Sequence, residues 1–359
     1  MNLPDHGANP NRLYERLGMA VPKRIIDFSE NVHPLGPPSF VDSGWDALKD
    51  LINRYPDAEA EPFRSAAASY HGFSKEWAAA GNGAAEIFTW LARRYRNKRV
   101  LLIEPAFSEY RKTLEAEGVE IRAVQLMADT DWKLDVVEVC AALQGCSALY
   151  ICNPHNPTGR LLTVEEMTTL AKACGGADCE LVIDEAFIDF AGEEFSFSPH
   201  LPDFLHVILV RSMTKMYAIA GLRLGYVLAE PKLLDELTAA AAHWNVNALA
   251  AEIGTNCFKE EAYRQEVQRS AKVEREEMTA FLRSHGCIVT DSAVNFLVFR
   301  LPGDCDAEKF FTDMLQTGIV LRHTRNFAGM DGEWFRVGMK TPEGMAELRG
   351  AINAWLEAN

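Results

Sequence analysis

The sequence predicts an α/β protein with a mostly parallel sheet flanked by helices, followed by a smaller α+β unit. From residue 99 to residue 243, short apolar strands alternate with helical segments. Uninterrupted apolar strands between helices are typical of a parallel sheet that is covered on both faces. After residue 247 the pattern changes to a long helical stretch and then to short strands with two further helices, which indicates a separate unit.

The individual elements follow from the period of the apolar residues and from turn residues between them. The strands predicted in the first part are 25–28, 99–103, 119–124, 147–152, 180–183, 206–210 and 224–228. The helices predicted there are 10–17, 45–52, 84–92, 107–117, 164–174 and 231–243. The later part is predicted to contain helical residues 248–284 with a break, strands 288–290, 295–300, 319–322 and 334–338, and helices 307–317 and 343–355.

The composition excludes several classes of protein. The chain has 359 residues and a formal net charge of −15, which argues against a general nucleic-acid binder but leaves room for an anionic substrate. No apolar stretch approaches the roughly 20 residues of a membrane span, and the first 16 residues lack the apolar core of a signal peptide. The eight cysteines are scattered without a C-x-x-C pair, which favours free thiols over disulfides or a metal site and predicts a cytoplasmic location.

Asn156, Asp184 and Lys215 each follow a different apolar strand of the series. In such sheets ligands bind beyond the carboxyl ends of the strands. A lysine can form a Schiff base with a carbonyl compound, and a carboxylate can keep a ring nitrogen protonated. Taken singly, each residue also suits a loop charge or a turn cap, but the three together are the set that holds pyridoxal phosphate.

A glycine-rich turn at Gly81-Asn82-Gly83 opens the helix predicted from Ala84. Such a turn leaves backbone N–H groups at a helix N-terminus, which attract phosphate. Two glycines before a helix are weak evidence alone, because tight turns are common. Together with the three strand-end residues, the turn supports a phosphorylated cofactor.

The order and spacing of these motifs resemble the fold-type-I family of pyridoxal-phosphate enzymes, and within it the aminotransferase-like group that includes histidinol-phosphate aminotransferases. The resemblance covers nearly the whole chain. It implies a large cofactor-binding domain over residues 46–250 and a small α+β domain built from both chain ends, 1–45 with the N-terminal arm and 251–359. It also implies pyridoxal 5′-phosphate as cofactor and a homodimer with shared active sites.

The resemblance assigns the cofactor site residue by residue. Lys215 would bind the cofactor aldehyde, Asp184 the pyridine nitrogen and Asn156 the ring oxygen, while the ring of Phe107 would stack on the cofactor. The cofactor phosphate would be held by the glycine-rich turn, a hydroxyl, a guanidinium and a tyrosine of the second subunit, namely Gly83, Ala84, Ala85, Ser212, Arg223 and Tyr55.

The same resemblance assigns the substrate site. Arg336 matches an arginine that holds the substrate carboxylate as a fork, and Arg322 matches one that meets a substrate phosphate. His6 is expected near that phosphate, and Asn31 belongs to the second N-terminal motif. For each arginine the alternative is an ordinary surface ion pair.

Three segments distinguish branches of the family. Histidinol-phosphate aminotransferases carry tyrosine where this chain has Phe187, whereas Asp-Glu-Ala-Phe resembles the threonine-phosphate decarboxylases of cobalamin synthesis. The stretches 6–9 and 27–36 resemble the same branch, although Ala8 replaces a glycine and Ala84-Ala85 replaces the common Glu-Thr. The resemblance therefore implies decarboxylation of L-threonine O-3-phosphate to (R)-1-amino-2-propanol O-2-phosphate.

Other functions stay open or are disfavoured. The main alternative is an aminotransferase that acts on histidinol phosphate or another amino acid, and O-phosphoserine is a further possible substrate because one methyl group gives modest discrimination. A cofactor-binding module without catalysis is disfavoured because Lys215, Asp184 and Arg336 are all present. A nicotinamide-dependent dehydrogenase is disfavoured because G-x-G-x-x-G does not follow a first strand.

Overall fold

The computed structural model describes residues 3–4, 6–303 and 305–359. Within these ranges the chain forms a seven-stranded sheet covered by helices, a four-stranded antiparallel sheet and a two-stranded parallel pair. The predicted α/β class is therefore confirmed. No helix in the described part of the chain combines the length and the apolar character that a bilayer crossing requires.

The chain begins with short elements that lead into the large sheet. Asn9 caps the first helix, because its side chain accepts a hydrogen bond from the backbone of Arg12 at 3.2 Å, and Gly18 ends it with φ 64°. The elements are α1 (Pro10–Leu17), β1 (Ile26–Asp27), α2 (Phe40–Ser43), α3 (Trp45–Lys49) and α4 (Phe63–Tyr70). The helix predicted over 45–52 is thus confirmed in its first half, and a 3-10 turn over Asp50–Asn53 continues it.

The large sheet occupies the middle of the chain. Its strands are β2 (Ala78–Gly81), β3 (Arg99–Glu104), β4 (Glu120–Gln125), β5 (Ala148–Cys152), β6 (Glu180–Asp184), β7 (Val207–Ser212) and β8 (Gly225–Leu228). Its helices are α5 (Ala84–Arg94), α6 (Ser108–Ala116), α7 (Val136–Ala142), α8 (Val164–Gly176), α9 (Ile188–Ala191) and α10 (Pro231–Thr238). The strand order is β2-β8-β7-β6-β5-β3-β4, and β8 runs against its neighbours while the others are parallel.

Helices cover both faces of this sheet. Successive side chains of a strand point to opposite faces, so Leu149 of β5 packs with α8 while Tyr150 packs with α5 and α6. Because both faces are covered, the central strands β5, β6 and β7 are largely apolar, as the sequence indicated, whereas the edge strand β4 is mostly exposed. Burial on both faces leaves the carboxyl edge as the place where polar side chains of β5, β6 and β7 can meet.

The remaining chain forms the small domain and the helices that lead to it. The elements are α11 (Ala248–Cys257), α12 (Glu261–Ser284), β9 (Ile288–Val289), β10 (Phe296–Arg300), α13 (Ala307–Gln316), β11 (Ile319–Val320), β12 (Arg322–His323), β13 (Trp334–Gly338) and α14 (Pro342–Ala358). The antiparallel order is β12-β13-β10-β9. Strand β1 pairs in parallel with β11, with Ile26 opposite Ile319, so the N-terminal segment contacts this part of the chain. The exact boundaries at 46 and 250 stay a prediction.

Two predicted elements differ from the structure. The single strand predicted over 319–322 is two short strands, because β11 pairs with β1 whereas β12 pairs with β13 in the other sheet. The helix predicted over 231–243 ends at Thr238. Beyond it, Trp244 takes φ 59° and the Asn245 side chain donates to the carbonyl of Ala80 at 3.2 Å, so contact with β2 replaces the last helical turn.

Candidate active site

A cavity of about 280 Å³ lies at the carboxyl edge of the large sheet, between it, the N-terminal arm and the small domain. Every predicted site residue lines it except Gly83 and Tyr55. The lining members are His6, Asn31, Ala84, Ala85, Phe107, Asn156, Asp184, Ser212, Lys215, Arg223, Arg322 and Arg336. The fold therefore gathers residues from both ends and the middle of the chain around one space.

Asp184 and Lys215 face each other across the end of β6 and β7. One Asp184 carboxylate oxygen accepts a hydrogen bond from the backbone of Ala186 at 2.9 Å, and the other accepts one from the Tyr110 hydroxyl. Burial raises the pKa of Asp184, while the Tyr110 hydroxyl, Lys215 and the Ala186 amide oppose that rise. Burial lowers the pKa of Lys215, against the attraction of Asp184. A lysine with a lowered pKa is more easily neutral and so is a better nucleophile.

Tyr110 is a site residue that the sequence analysis did not identify. Its hydroxyl donates to Asp184, and its ring lies edge-on to Phe107 at 5.6 Å between centroids. A signal was present, since Tyr110 is three residues after Phe107 and residues so spaced share a helix face. Its role follows from the contact, because the hydroxyl both orients Asp184 and favours its ionised form.

We expect Tyr110→Phe to weaken binding of pyridoxal phosphate roughly tenfold, because a hydrogen bond to a charged group is worth about 1.5–3 kcal/mol. Without the hydroxyl, the pKa of Asp184 rises further and the carboxylate pairs less well with a protonated ring nitrogen. The matched control is Tyr150→Phe, since Tyr150 has a buried hydroxyl with no partner among the described residues and lies 5.8 Å from the Tyr110 ring. Equal cofactor dissociation constants for the two variants, measured by fluorescence titration, would contradict the role of Tyr110.

An anion-binding cradle is formed at the start of α5. Gly83 takes φ 76°, and a Cβ placed there would come within 2.6 Å of the Arg223 guanidinium, so the arginine packs directly on the turn. A Cβ on Gly225 would lie 2.6 Å from the backbone nitrogen of Ala84, which shows how closely β8 approaches the helix start. The first N–H groups of a helix have no partner inside the helix. Ala84 and Ala85 at the helix start line the cavity together with Ser212, whose hydroxyl lies 2.9 Å from that of Thr214.

Arg336 is a buried cation that forms no ion pair with an acidic residue in the described part of the chain. Its guanidinium donates to the side-chain oxygen of Asn156 at 2.6 Å and to the carbonyl of Ser29 at 3.0 Å, while its Nε has no hydrogen-bond partner in the described residues. Burial and, to a smaller extent, the nearby Arg322 lower the pKa of Arg336 to about 9, while Asp27 opposes the shift. A buried charge is unfavourable unless it is paired, so the site is suited to an anionic ligand.

Arg322 stands opposite Arg336 in the small sheet. The two residues are direct partners in the register of β12 and β13, and both are buried. Arg322 donates to the backbone oxygen of His323 at 2.9 Å and to the side chain of Asn326 at 2.7 Å, and it lies over the ring of Phe327 at 5.1 Å. Like charges at directly opposed positions repel each other, so this arrangement is favourable when an anion lies between or beside them.

The N-terminal arm closes one side of the cavity. His6 Nε2 lies 2.8 Å from a carboxylate oxygen of Glu109, and its ring is 5.8 Å from that of Phe107. Asn31 holds a buried side-chain oxygen that has no partner among the described residues. The sequence raised the question of whether Ala8 changes the course of the arm. Ala8 takes φ 63°, a conformation that favours glycine, so the turn is kept at some strain.

Three predicted features sit at the margin of the cavity. Phe187 lies under Lys215, whose Nζ is 5.2 Å from the centroid of the ring. Gly83 does not line the cavity but supports Arg223, as described above. Tyr55 is 86% exposed and packs against Trp244 with 5.5 Å between ring centroids. Tyr55 thus lies outside the cavity of its own chain, and its predicted contact with a second subunit remains a prediction.

The residues that line the cavity suit pyridoxal phosphate. A buried lysine can bind the aldehyde, a buried carboxylate can face the pyridine nitrogen, and the cradle at α5 offers backbone N–H groups, a hydroxyl and a guanidinium to a phosphate. The amide of Asn156 can face the ring oxygen. The donor set therefore matches each polar group of the cofactor with a complementary residue.

Comparison with known proteins identifies the family. Residues 23–352 match the family model of aminotransferase class I and II. The chain belongs to this family. Enzymes of this class use pyridoxal 5′-phosphate, so the predictions of a pyridoxal-phosphate enzyme and of the fold-type-I architecture are confirmed.

Individual members resemble the chain closely. The threonine-phosphate decarboxylase of Salmonella typhimurium is 32% identical over 354 residues, which are 97% of this chain and 95% of that protein. A histidinol-phosphate aminotransferase of Oleidesulfovibrio alaskensis is also 32% identical, over 88% of this chain and 83% of its own length. The crystal structure of the histidinol-phosphate aminotransferase from Clostridium acetobutylicum has a TM-score of 0.87 at 27% identity and covers 92% of this chain and 99% of its own. The two activities are thus represented at equal identity.

Proposed function

We propose that this protein decarboxylates L-threonine O-3-phosphate to (R)-1-amino-2-propanol O-2-phosphate, in cobalamin biosynthesis. The observation that carries the proposal is the opposed pair Arg322 and Arg336, buried in the same cavity as Lys215 and Asp184. Two guanidinium groups suit a small substrate with two anionic groups. Threonine phosphate has a carboxylate and a phosphate, whereas histidinol phosphate has a phosphate alone.

Each residue has a part in the proposed reaction. Arg336 would hold the substrate carboxylate, while Arg322 and His6 would hold the phosphate, with Asn31 beside them. Bound pyridoxal phosphate supplies an electron sink for the pair released when a bond at the substrate Cα is broken. Asp184 would keep the pyridine nitrogen protonated. Lys215, which would first hold the cofactor, would deliver a proton to Cα after CO2 has left.

The reaction type depends on the orientation of Cα. Small shifts of a bound substrate would change which of the bonds at Cα is placed for cleavage. Arg322 and Arg336 fix two points of the substrate, so they set this orientation. Phe187 lacks the hydroxyl that histidinol-phosphate aminotransferases carry there, which leaves Asn156 as the side chain beside the ring oxygen.

The second candidate is a histidinol-phosphate aminotransferase. It is supported by the equal identity to the protein from Oleidesulfovibrio alaskensis. In that reaction Lys215 would remove the proton from Cα, whereas in the decarboxylation it would deliver a proton to Cα after CO2 has left. A keto acid would be required to accept the amino group.

One assay separates the two candidates. Purified holoenzyme is given L-threonine O-3-phosphate without a keto acid, and CO2 and aminopropanol phosphate are measured. Catalytic release of both products is the expected result. If no CO2 appears, while histidinol phosphate with 2-oxoglutarate yields glutamate, the aminotransferase replaces the decarboxylase.

We expect Arg336→Lys to lower kcat/KM for threonine phosphate roughly 10- to 100-fold, since a lysine cannot form the two parallel hydrogen bonds of a guanidinium with a carboxylate. The control is Arg325→Lys, because Arg325 is partly exposed and pairs with Glu308 on α13. Steady-state kinetics of both variants test this. A kcat/KM of Arg336→Lys equal to that of the control would exclude Arg336 as the carboxylate anchor.

We also propose a cytoplasmic homodimer. Tyr55, Trp244 and Ile52 are large apolar side chains that are more than half exposed, and exposed apolar patches commonly mark contact surfaces. The eight cysteines, all within the described ranges, are unpaired, as is usual in a reducing compartment. Light scattering on the purified protein should give twice the mass of one chain. A monomer that is fully active would refute shared active sites.

A further inference from the structure

Residues 6–8, which we call the strap, are attached to the small-domain side of the cavity at Ser29. The backbone of Ala8 donates to the Ser29 hydroxyl at 3.1 Å, and a Cβ on Gly7 would come within 2.5 Å of the Ser29 carbonyl oxygen. The same carbonyl oxygen accepts a hydrogen bond from Arg336. The strap is thus tied to the residue that also helps to hold the proposed carboxylate anchor.

Glu109 holds the strap from the large-domain side. It lies in the first turn of α6, and one of its carboxylate oxygens is 2.8 Å from His6 Nε2, although the two residues are 103 positions apart in the sequence. A carboxylate only accepts hydrogen bonds, so Nε2 carries the hydrogen. The Glu109 side chain is 19% exposed and that of His6 is 45% exposed, so the contact is partly shielded from solvent.

We propose that Glu109 is a positioning residue for substrate recognition. It fixes the His6 imidazole and the strap over the cavity before a substrate phosphate arrives. This inference rests on the proposed function, in which His6 and Arg322 receive that phosphate.

The physical reason is preorganisation. Ordering a free N-terminal arm costs conformational entropy, and a contact that orders it in advance reduces the cost of binding. Glu109 does not line the cavity, whereas its neighbours Phe107 and Ser108 do, so it acts through His6 and not on the reacting atoms. The effect of Glu109 therefore falls on KM and leaves kcat near its original value.

The kinetic test compares three variants of the holoenzyme. Glu109→Leu removes the acceptor, Glu109→Gln keeps an acceptor oxygen, and Lys112→Met removes the other charged neighbour of Glu109, 3.3 Å away and 70% exposed. We expect Glu109→Leu to raise KM for L-threonine O-3-phosphate roughly fivefold, the size that a partly exposed charge contact supports. Glu109→Gln should raise KM less than Glu109→Leu does, and Lys112→Met should have the KM of the original enzyme. An unchanged KM in Glu109→Leu, or a loss confined to kcat, would overturn the proposal.

Hydrogen exchange tests the strap without turnover. In substrate-free holoenzyme, the amides of residues 7–9 should exchange faster in Glu109→Leu than in Lys112→Met, and inorganic phosphate should slow them less in Glu109→Leu than in the original enzyme. If the enzyme releases no CO2 from threonine phosphate, the proposed function fails while this measurement still decides the role of Glu109. Equal exchange in the two variants would show that Glu109 does not hold the strap.

Discussion

Lys215→Ala is expected to abolish CO2 release from L-threonine O-3-phosphate, with kcat lower by roughly 10²- to 10⁴-fold or more. The Nζ atom of Lys215 is the basic nitrogen at the end of β7, held 3.0 Å from the Ser212 hydroxyl and facing Asp184. It would hold the cofactor and deliver the proton to Cα, so its loss removes two functions. The measurement is CO2 release by the cofactor-loaded variant.

The matched control for Lys215 is Lys232→Ala, because Lys232 is exposed on α10. Borohydride reduction followed by mass spectrometry gives a second readout, since the original enzyme and the Lys232 variant should retain the cofactor covalently and the Lys215 variant should not. Turnover by Lys215→Ala at the rate of the control would refute the assignment of the catalytic lysine.

Arg211→Leu is expected to lower the free energy of unfolding by about 3–5 kcal/mol, the usual cost of breaking a buried ion pair from one side. Arg211 is 1% exposed, and its side chain points to one face of β7 while the side chain of Ser212 points to the other. Its guanidinium forms ion pairs with three carboxylates. The nitrogen–oxygen distance is 3.3 Å to Glu185 and 3.1 Å to Asp189, and Glu193 is the third partner. Removing this cation leaves the buried Glu185 and Asp189 beside the partly exposed Glu193, with Arg264 as a weaker opposing charge.

The decrease in the free energy of unfolding caused by Arg211→Leu should depend on pH. Burial raises the pKa of Glu185 to about 7 even though Arg211 opposes the rise. Glu185 therefore ionises more readily in the unfolded chain than in the folded one, and raising the pH from the unfolded pKa to above 7 costs folding free energy. Without Arg211 the pKa of Glu185 in the folded chain rises further, and the variant should lose more stability at pH 8 than at pH 5. Urea unfolding at both pH values measures this. The control Arg269→Ala, which removes an exposed pair with Glu266, should change stability by less than about 1 kcal/mol.

A loss in Arg211→Leu that equals that of Arg269→Ala would show that the buried acidic groups do not depend on Arg211. A larger loss at pH 5 than at pH 8 would show that the carboxylates are not the source of the instability. Either result would require another account of why a charged residue occupies the interior face of β7.

The sequence was sufficient for strands β3, β5, β6, β7 and β8 because they are buried on both faces, whereas β2 was not predicted. The strands predicted over 99–103 and 180–183 are each one residue longer in the structure, as Arg99–Glu104 and Glu180–Asp184. The same burial explains why Asp184 could be singled out, since a polar residue directly after a continuous apolar run has to lie at the sheet edge, and Lys215 lies three residues beyond the end of the neighbouring strand β7. Elements held by tertiary contacts, such as the divided strand around residue 321, carry no such local signal.

The candidate site was predictable where its residues follow strands or resemble family motifs, and not where they act through other side chains. Tyr110 and Glu109 were within a recognised segment, but their partners Asp184 and His6 lie 74 and 103 positions away. Thr214 is adjacent to Lys215, yet its contact with Ser212 depends on the turn after β7. Contacts over such separations follow from the fold as a whole.

The pairing of β1 with β11 has a consequence for how the chain folds. Ile26 is made 293 residues before its strand partner Ile319 (319 − 26). Domains fold largely as the chain emerges, and contacts between distant residues form slowly because a long loop has to be closed. The large sheet, which is complete at residue 228, can therefore form while the N-terminal segment still waits for its partner. A chain truncated before β11 would leave that segment unpaired, so each newly made molecule completes the β1–β11 pair only after β11 has been translated.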